Sequence, residues 1–494
     1  MTTKRSAVLF AADTDASGRR ALARAAAKGE LVRLTAGVYT TEVADPEGAV
    51  RRHLWRILAH EIPGAVITDR SIADGGIGSD GVVFLSVPNR SRPLTLPGMR
   101  VLPRRGPGPV EGDMALPDGL WIAGEARALL DNLAITRPSA EGAARVLNRG
   151  AIEERLDQIC AHRGPDGLNR VRDQAGAIAS ALGRSRELSI LNTLVGAVLN
   201  TRPGAALTSP QLQARAAGTP FDSRRIAVFE RLAQALGDLA PAPLPAMPVD
   251  QDRRSTLPFY EAYFSNYIEG TEFTVDEAAA IVFDGMVPDN RPADAHDILG
   301  TYRLTSSIAD MSRVPRGGTD LVDLLKERHA VLLGGRPEAG PGRFKRTPNR
   351  AGSTQFVAPE DVAGTLLRGF EAADGLIDPF ARAVFMMFLV SEVHPFADGN
   401  GRIARIFMNA ELVTASQVRI VIPTVYRENY LAGLRAATHT AGDASLIAVL
   451  SFAQRWTARV DWSTRTTAEA DLLRTHALRD AREAEEAGVR LTLP

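Results

Sequence analysis

Twelve consecutive residues, His394-Pro395-Phe396-Ala397-Asp398-Gly399-Asn400-Gly401-Arg402-Ile403-Ala404-Arg405, place an imidazole, a carboxylate, two glycines flanking an amide and two guanidinium groups in one stretch. Each type suits a step in handling phosphate. Gly399, Asn400 and Gly401 stand just ahead of an apolar-periodic run, Ile403, Ile406, Phe407 and Leu412, so the loop should deliver backbone N–H groups to a helix N-terminus, where anions are stabilised. Asp398 offers an oxygen ligand suited to a magnesium ion that also takes phosphate oxygens and keeps several waters; it is too isolated for a metal cage made of protein alone. Arg402 and Arg405, three apart, share a helix face and can neutralise phosphate through forked hydrogen bonds. His394 is left for proton work, because an imidazole titrates near neutral pH and can take a proton from an attacking hydroxyl. Taken singly, these residues have plainer uses. A His after the apolar run Ala383 to Val390 can simply close a helix, and Asp-Gly and Asn-Gly make turns.

Together the twelve residues resemble the signature of the Fic family, His-x-Phe-x-(Asp or Glu)-Gly-Asn-Gly-(Arg or Lys)-x-x-Arg, at every defined position. The resemblance implies a helical Fic fold that transfers AMP from ATP to a hydroxyl of a protein side chain, Ser, Thr or Tyr, on a target or on itself. By motif position, His394 would be the general base and Asp398 the ligand of a magnesium ion bridging the nucleotide phosphates. Asn400, Gly401 and neighbouring amides, Gly399 included, would form the anion hole, Arg402 and Arg405 would orient the β and γ phosphates, and Phe396 would anchor the loop. The related Doc branch, which phosphorylates its target, usually has Lys where Gly401 stands, so this position favours AMP transfer.

Upstream, Ser265-Asn266-Tyr267-Ile268-Glu269-Gly270 resembles the (Ser or Thr)-x-x-x-Glu-(Gly or Asn) inhibitory motif of the family, in the class whose inhibitory helix precedes the Fic core. That implies Glu269 pairing with Arg405 in the γ-phosphate site; an ordinary exposed Glu ahead of a C-terminal Gly is the alternative. Pro341 to Arg350 and Gln355 to Pro359 read as two extended segments around Ala351-Gly352-Ser353, and resemble the Fic flap, a hairpin that registers the target by strand addition. Phe344, Lys345, Phe356 and Val357 would be its docking residues, although the family usually has Arg where Lys345 stands. Arg427, Asn429 and Tyr430 could line the nucleoside pocket or simply start a surface helix.

The elements that must hold these residues are mostly helical. Apolar periodicity predicts helices near 256–268, 275–283, 294–311, 319–333, 360–373, 378–392, 401–414, 427–439 and 443–460, with a further exposed terminal helix over Ala468 to Glu486. Pro241 to Pro248 carries four prolines in eight residues and reads as an extended spacer ahead of this half. Before it, Ala16 to Lys28 reads as a basic helix, and Leu31 to Leu34 and Val38 to Thr40 flank Ala36-Gly37 as a small wing. This stretch, with Gly124 to Asp131 after the strand-rich run through Val82 to Val87, resembles AbiEi-type antitoxins and related winged-helix regulators. Arg19, Arg20, Arg24, Lys28 and Arg33 would then contact DNA phosphates, or form a solvated basic face.

The expected organisation is therefore mainly α: a winged-helix-like region (1–58), an α+β region (59–138), a helical connector (139–240), a Pro-rich linker (241–250), an all-helical Fic domain with inhibitory helix and β-hairpin flap (251–465), and a helical tail (466–494). At 494 residues the chain can bury several cores. Its 58 basic and 58 acidic residues give no global pull toward nucleic acid or acidic membranes. One cysteine, Cys160, excludes an intrachain disulfide framework and a Cys-cluster zinc site and suits a reducing cytoplasm. Lys4-Arg5 with Ala7 to Ala12 mimics a signal peptide too briefly to be one, and no apolar run approaches a membrane span. Abundant Ala, Arg and Gly suggest a bacterial source. Three functions are carried forward: an autoinhibited, magnesium-dependent adenylyltransferase, able to modify itself or to pair with a second copy; the same site run toward removal of AMP; and a DNA-binding, antitoxin-like regulator with a sensory Fic half.

Overall fold

The computed structural model describes residues 7–89, 92–136, 143–199, 207–239, 243–246 and 256–494. The chain divides into two compact units, Met1–Ala216 and Ala217–Pro494. Lys4-Arg5 and most of the Pro-rich segment lie outside the described residues.

In the first unit, β1 (Val8–Phe10), β2 (Val32–Thr35) and β3 (Val38–Thr40) form an antiparallel sheet in the order β1-β3-β2, with α1 (Ala16–Ala27) between β1 and β2. Asp15 caps α1 by accepting from the Gly18 amide, and α1 buries none of its residues. Helix α2 (Pro46–Glu61) turns Val50, Leu54, Ile57 and Leu58 into a core that continues into the next sheet. That mixed sheet has the order β6-β7-β5-β4-β9-β8, from β4 (Val66–Ile67), β5 (Val82–Val87), β6 (Leu94–Leu96), β7 (Met99–Arg105), β8 (Met114–Ala115) and β9 (Trp121–Ile122), with α3 (Arg70–Ala73) and α4 (Glu125–Asn132) beside it. Strand β5 is buried along its whole length, as a strand apolar at all positions but Ser86 and covered on both faces should be. One core, from Val8 to Leu120, serves both sheets, and α2 runs through the division expected at residue 58. Helices α5 (Arg149–Leu182, broken at Gly164-Pro165), α6 (Ser185–Val198) and α7 (Pro210–Ala216) build a second core with α4.

The second unit is helical: α8 (Ser223–Gly237), α9 (Thr256–Ile268), α10 (Val275–Asp284), α11 (Pro292–Ser306), α12 (Ile308–Met311), α13 (Gly318–Leu332), α14 (Val362–Glu371), α15 (Pro379–Val393), α16 (Asn400–Thr414), α17 (Arg427–His439), α18 (Asp443–Thr457), α19 (Arg465–Arg474) and α20 (Ala481–Glu486), with a hairpin of β10 (Arg350–Ala351) and β11 (Thr354–Gln355). Helix α15 is apolar around most of its circumference and lies at the centre, with Val384, Phe385, Met386, Met387, Phe388 and Leu389 all at zero exposure. The single helix expected over 294–311 is two, because Ser307 ends α11 and caps α12 by accepting from the Asp310 amide.

Two features correct the expected organisation. Helix α8 belongs to this unit: Phe229 is fully buried with its ring edge-on to Phe385 and Phe388 of α15, at centroid distances of 6.4 and 6.2 Å. The boundary therefore precedes α8, and within the Pro-rich segment Pro245 bridges Gln417 while the Ala246 amide donates to Ser416 O. The tail, expected as one exposed helix, is α19 and α20 separated by a turn with His476 at φ 63°. Ala468, Leu472, Ala477 and Ala484 are buried against Phe259, Tyr260, Tyr263 and Phe264 of α9.

Candidate active site

Helix α15 ends on His394, which sits in the left-handed region at φ 52°, ψ 59° while its amide donates to Val390 O. A left-handed non-glycine residue stores local strain and needs its surroundings to hold it. The loop that follows is closed by Asn400, whose Oδ1 accepts from the Phe396 amide at 2.8 Å and whose Nδ2 donates to Phe396 O at 2.9 Å. The Asn400 side chain is thus a staple, and only its backbone remains for an anion. Phe396 has zero exposure and stacks on His329 of α13 at 3.6 Å, nearly coplanar. The Gly342 amide donates to His329 Nδ1 at 2.9 Å, so the ring proton lies on Nε2, which donates to Asp398 O at 3.0 Å. Burial pushes the His329 pKa down to about 4.

Gly399, at φ 76°, makes the turn into α16. The first amide bond across this helix start is Ile403 N–H to Gly399 O at 3.0 Å, which leaves the Asn400, Gly401 and Arg402 amides without intrahelical acceptors. That is an anion-binding end.

His394 Nδ1 lies 3.1 Å from Ser391 O, an acceptor only, so Nδ1 carries the proton and Nε2 keeps its lone pair. Burial, with help from the Lys345 ammonium, pushes the ring pKa down to about 4. The imidazole is therefore neutral at physiological pH and able to accept. Phe356 covers it face to face at 3.7 Å.

Asp398 is held open by charge. Its Oδ1 accepts from the Gly399 amide at 2.6 Å and from Arg402 Nη2 at 3.2 Å, and its Oδ2 from Arg336 Nη1 at 2.8 Å. Burial would raise its pKa, but the Arg402 and Arg336 cations outweigh it and keep the carboxylate ionised. Both arginines also reach Asp297 Oδ2, at 2.5 Å from Arg402 and 3.0 Å from Arg336, closing a ring of two cations and two carboxylates. The buried Oδ1 of Asp297 has no partner. Sequence reasoning missed Asp297 and Arg336, which lie in α11 and in the loop after α13, outside any local motif.

The upstream motif meets Arg405 directly. Arg405 Nε donates to Ser265 Oγ at 2.9 Å, and Nη2 donates to Ser265 O at 2.8 Å and to Glu269 Oε1 at 2.6 Å. Ser265 on α9 and Glu269, the first residue past its end, are four apart and meet the same guanidinium. Desolvation would raise the Glu269 pKa, yet Arg405 outweighs it and keeps the carboxyl ionised, with about 33% of the side chain still open to solvent. Gly401 makes this placement possible: a methyl group there would fall on Glu269 Oε1. Gly270 closes the helix at φ 92°.

The remaining candidates are placed less as expected. Lys345 and Val357 are buried, at 5% and zero exposure, and so turn away from any docking face, whereas Phe344 and Phe356 are half-buried. Arg427 Nε donates to Ile268 O at 3.0 Å and so caps α9, and Tyr430 is buried with its hydroxyl on Met387 Sδ; neither is free to line a nucleoside pocket, and Asn429 is exposed. Arg19, Arg20, Arg24, Lys28 and Arg33 are all exposed.

Comparison with known proteins agrees with this geometry. Residues 320–412 match the model of the Fic/DOC family. Over 184 residues, 36% of this chain, the sequence is 29% identical to protein adenylyltransferase Fic of Drosophila grimshawi and covers 38% of it; for the Drosophila melanogaster protein the identity is 28% and the cover 37%. The chain thus spans well under half the length of these curated relatives. Among solved structures it is similar to a Fic domain containing signaling protein from Bacteroides thetaiotaomicron (22% identity, TM-score 0.34, covering 47% of this chain and 96% of that one) and to Fic-1 from C. elegans (19% identity, TM-score 0.34, covering 69% and 98%). The stretch that matches the Fic/DOC family, residues 320–412, lies in the helical second unit and carries the motif from His394 to Arg405.

Proposed function

We propose that this protein is an autoinhibited adenylyltransferase that moves AMP from ATP to a protein hydroxyl. The observation that carries this reading is the neutral His394, with a free Nε2, at the mouth of a helix N-terminus whose amides lack intrahelical partners. The hydroxyl oxygen attacks the α-phosphorus as Nε2 takes its proton; the bond to the bridging oxygen breaks and pyrophosphate leaves. The amides of α16 hold phosphate oxygens, and Arg405, once released, adds charge at the γ-phosphate end. Asp398 fits a magnesium ion: it is ionised, 42% exposed and beside the anion-binding amides, and among the described residues no group of three potential ligands forms a cage without phosphate. When bound at Asp398, the ion would offset the charge of the nucleotide phosphates. Arg336 must then leave Asp398 Oδ2.

Glu269 occupies the guanidinium that the γ-phosphate needs, and so represses transfer. With α-phosphate-labelled ATP and magnesium, label should appear on protein with Glu269→Gly and vanish when His394→Ala is added. Equal labelling by wild type and Glu269→Gly would refute the repression, and no label in any sample would refute the transferase. A second reading is favoured by the ionised, partly solvent-open Glu269 carboxylate, which could orient water for removal of AMP. On that reading Glu269→Gly abolishes release of AMP from a modified protein. For the first unit, the five exposed basic residues on α1 and around β2, none in a helix-burying position, support DNA phosphate contact. A shift of duplex DNA by the full chain that weakens with salt, and is lost on changing Arg19, Arg20 and Arg24 to Ala, is the expected outcome; no shift at low salt rejects it. No helix among the described residues is long and apolar enough to cross a membrane.

A further inference from the structure

The backbone on both sides of His394, and one face of its ring, are held by one short segment. The Lys345 amide donates to Pro395 O at 2.9 Å, and Lys345 Nζ reaches Val393 O at 3.4 Å and Asn349 Oδ1 at 2.7 Å. Asn349 Nδ2 donates to Phe396 O at 3.0 Å, and Asn349 O accepts from the Phe356 amide at 3.2 Å. Phe356 then closes over the imidazole in a parallel stack. The carbonyls immediately before and after His394, and the next one along, are therefore all tied to residues 345–349, and the ring is tied to residue 356.

Physical reasons favour such a strap at this point. The final carbonyls of α15 have no intrahelical donors, and a cation at a helix C-terminus both satisfies them and suits the dipole. His394 adopts a left-handed conformation without being a glycine, which persists only where neighbours over-determine it. A lysine at 5% exposure is costly unless its ammonium is bonded, and here it bonds the loop that carries the base.

We propose that Lys345, Asn349 and Phe356 are positioning residues for His394, so that the hairpin segment fixes the orientation of the base as well as offering an edge to a target. The part concerning catalysis rests on the AMP-transfer reading; the part concerning geometry does not. A target strand added to β10 or β11 would pull on the same segment that holds the base, which links docking to proton acceptance through covalent chain.

The test uses the full chain with histidines labelled in the ring, and the His394 resonance assigned by its loss in His394→Gln. In the ligand-free protein, Lys345→Met and Asn349→Ala should each move the His394 ring resonance toward that of an unstacked imidazole, and Lys345→Arg, which keeps a cationic donor, should leave it near its original place. An unmoved resonance in folded Lys345→Met and folded Asn349→Ala would overturn the proposal; if one variant fails to fold, the other decides. In the Glu269→Gly background the same two substitutions should lower kcat about tenfold to hundredfold with KM for ATP nearly unchanged, as misplacement of a reacting group does, and Lys345→Arg should restore most of it. A change in KM alone would overturn the catalytic part. If the Glu269→Gly parent transfers no label, the AMP-transfer reading fails, and the resonance measurements still decide whether the strap positions His394.

Discussion

At the level of single residues, the site is governed by which charges are neutral and which are paired. His329 and His394 both stay neutral well below the ordinary imidazole range, with pKa values near 4 against about 6.5 in an unfolded chain. Between those values the unfolded chain binds more protons than the folded one, so their contribution is complete above about pH 6.5 and is lost as pH falls toward 4. For fully buried His329 the loss approaches roughly 3 kcal/mol, and it is smaller for the partly exposed His394. Urea unfolding should therefore show a stability decline over that window that flattens in His329→Gln at its own lowered baseline; an unchanged pH slope would refute the assignment. Ser265 makes the same argument for inhibition. Its Oγ fixes Arg405 Nε, so Ser265→Ala should loosen the Glu269–Arg405 pair by about 1 kcal/mol, the usual worth of such a bond, and raise label transfer severalfold, short of the Glu269→Gly level. Transfer equal to wild type would show that Ser265 does not share in the restraint.

At the level of elements, the site is only as rigid as α15 and what packs on it. Phe229 of α8 packs edge-on against Phe385 and Phe388 of α15, and Gly369 of α14 lets that ring approach, since a methyl there would sit 2.9 Å from Phe229 Cδ2. Phe229→Ala should cost about 3–5 kcal/mol, read as a lower urea midpoint for the second unit. A fragment starting at residue 217 should unfold in one cooperative transition, while one starting at 241, where the Pro-rich sequence suggests a boundary, should melt lower or not fold. Equal melting would mean that α8 is an appendage. The docked tail follows similar logic: Tyr260 donates to Glu469 Oε1 at 3.2 Å and the buried residues of α19 and α20 share a core with α9, so the tail supports the helix that carries Ser265.

Across the whole molecule, legibility in the sequence tracks how local the physics is. The helix-loop-helix around His394 was readable because its pieces sit within one turn of chain, and the Ser265-to-Glu269 spacing was readable because i,i+4 geometry is fixed by the helix itself. Asp297 and Arg336 were not, because a charge ring closed across α11, the loop after α13 and α16 leaves no spacing to recognise. Lys345 and Val357 looked like hairpin surface residues; they lie outside the two short strands, in irregular flanking chain whose side-chain directions depend on the packing beneath it, which composition does not record. The Pro-rich stretch misled for a related reason. Extended backbone reads as a spacer whether it is solvated or, as at Pro245 and Gln417, laid against another strand.

On the proposed reading, Gly401 would tie inhibition and turnover to a single missing methyl group. The space where a side chain would stand is the space that receives the Glu269 carboxylate, at the N-terminal turn of α16. On that reading, a substitution that fills this hollow would evict Glu269 and narrow the nucleotide's seat together. The strength of such a restraint would then be tunable by changing α9, whereas discarding it by changing the loop would mean rebuilding the seat as well.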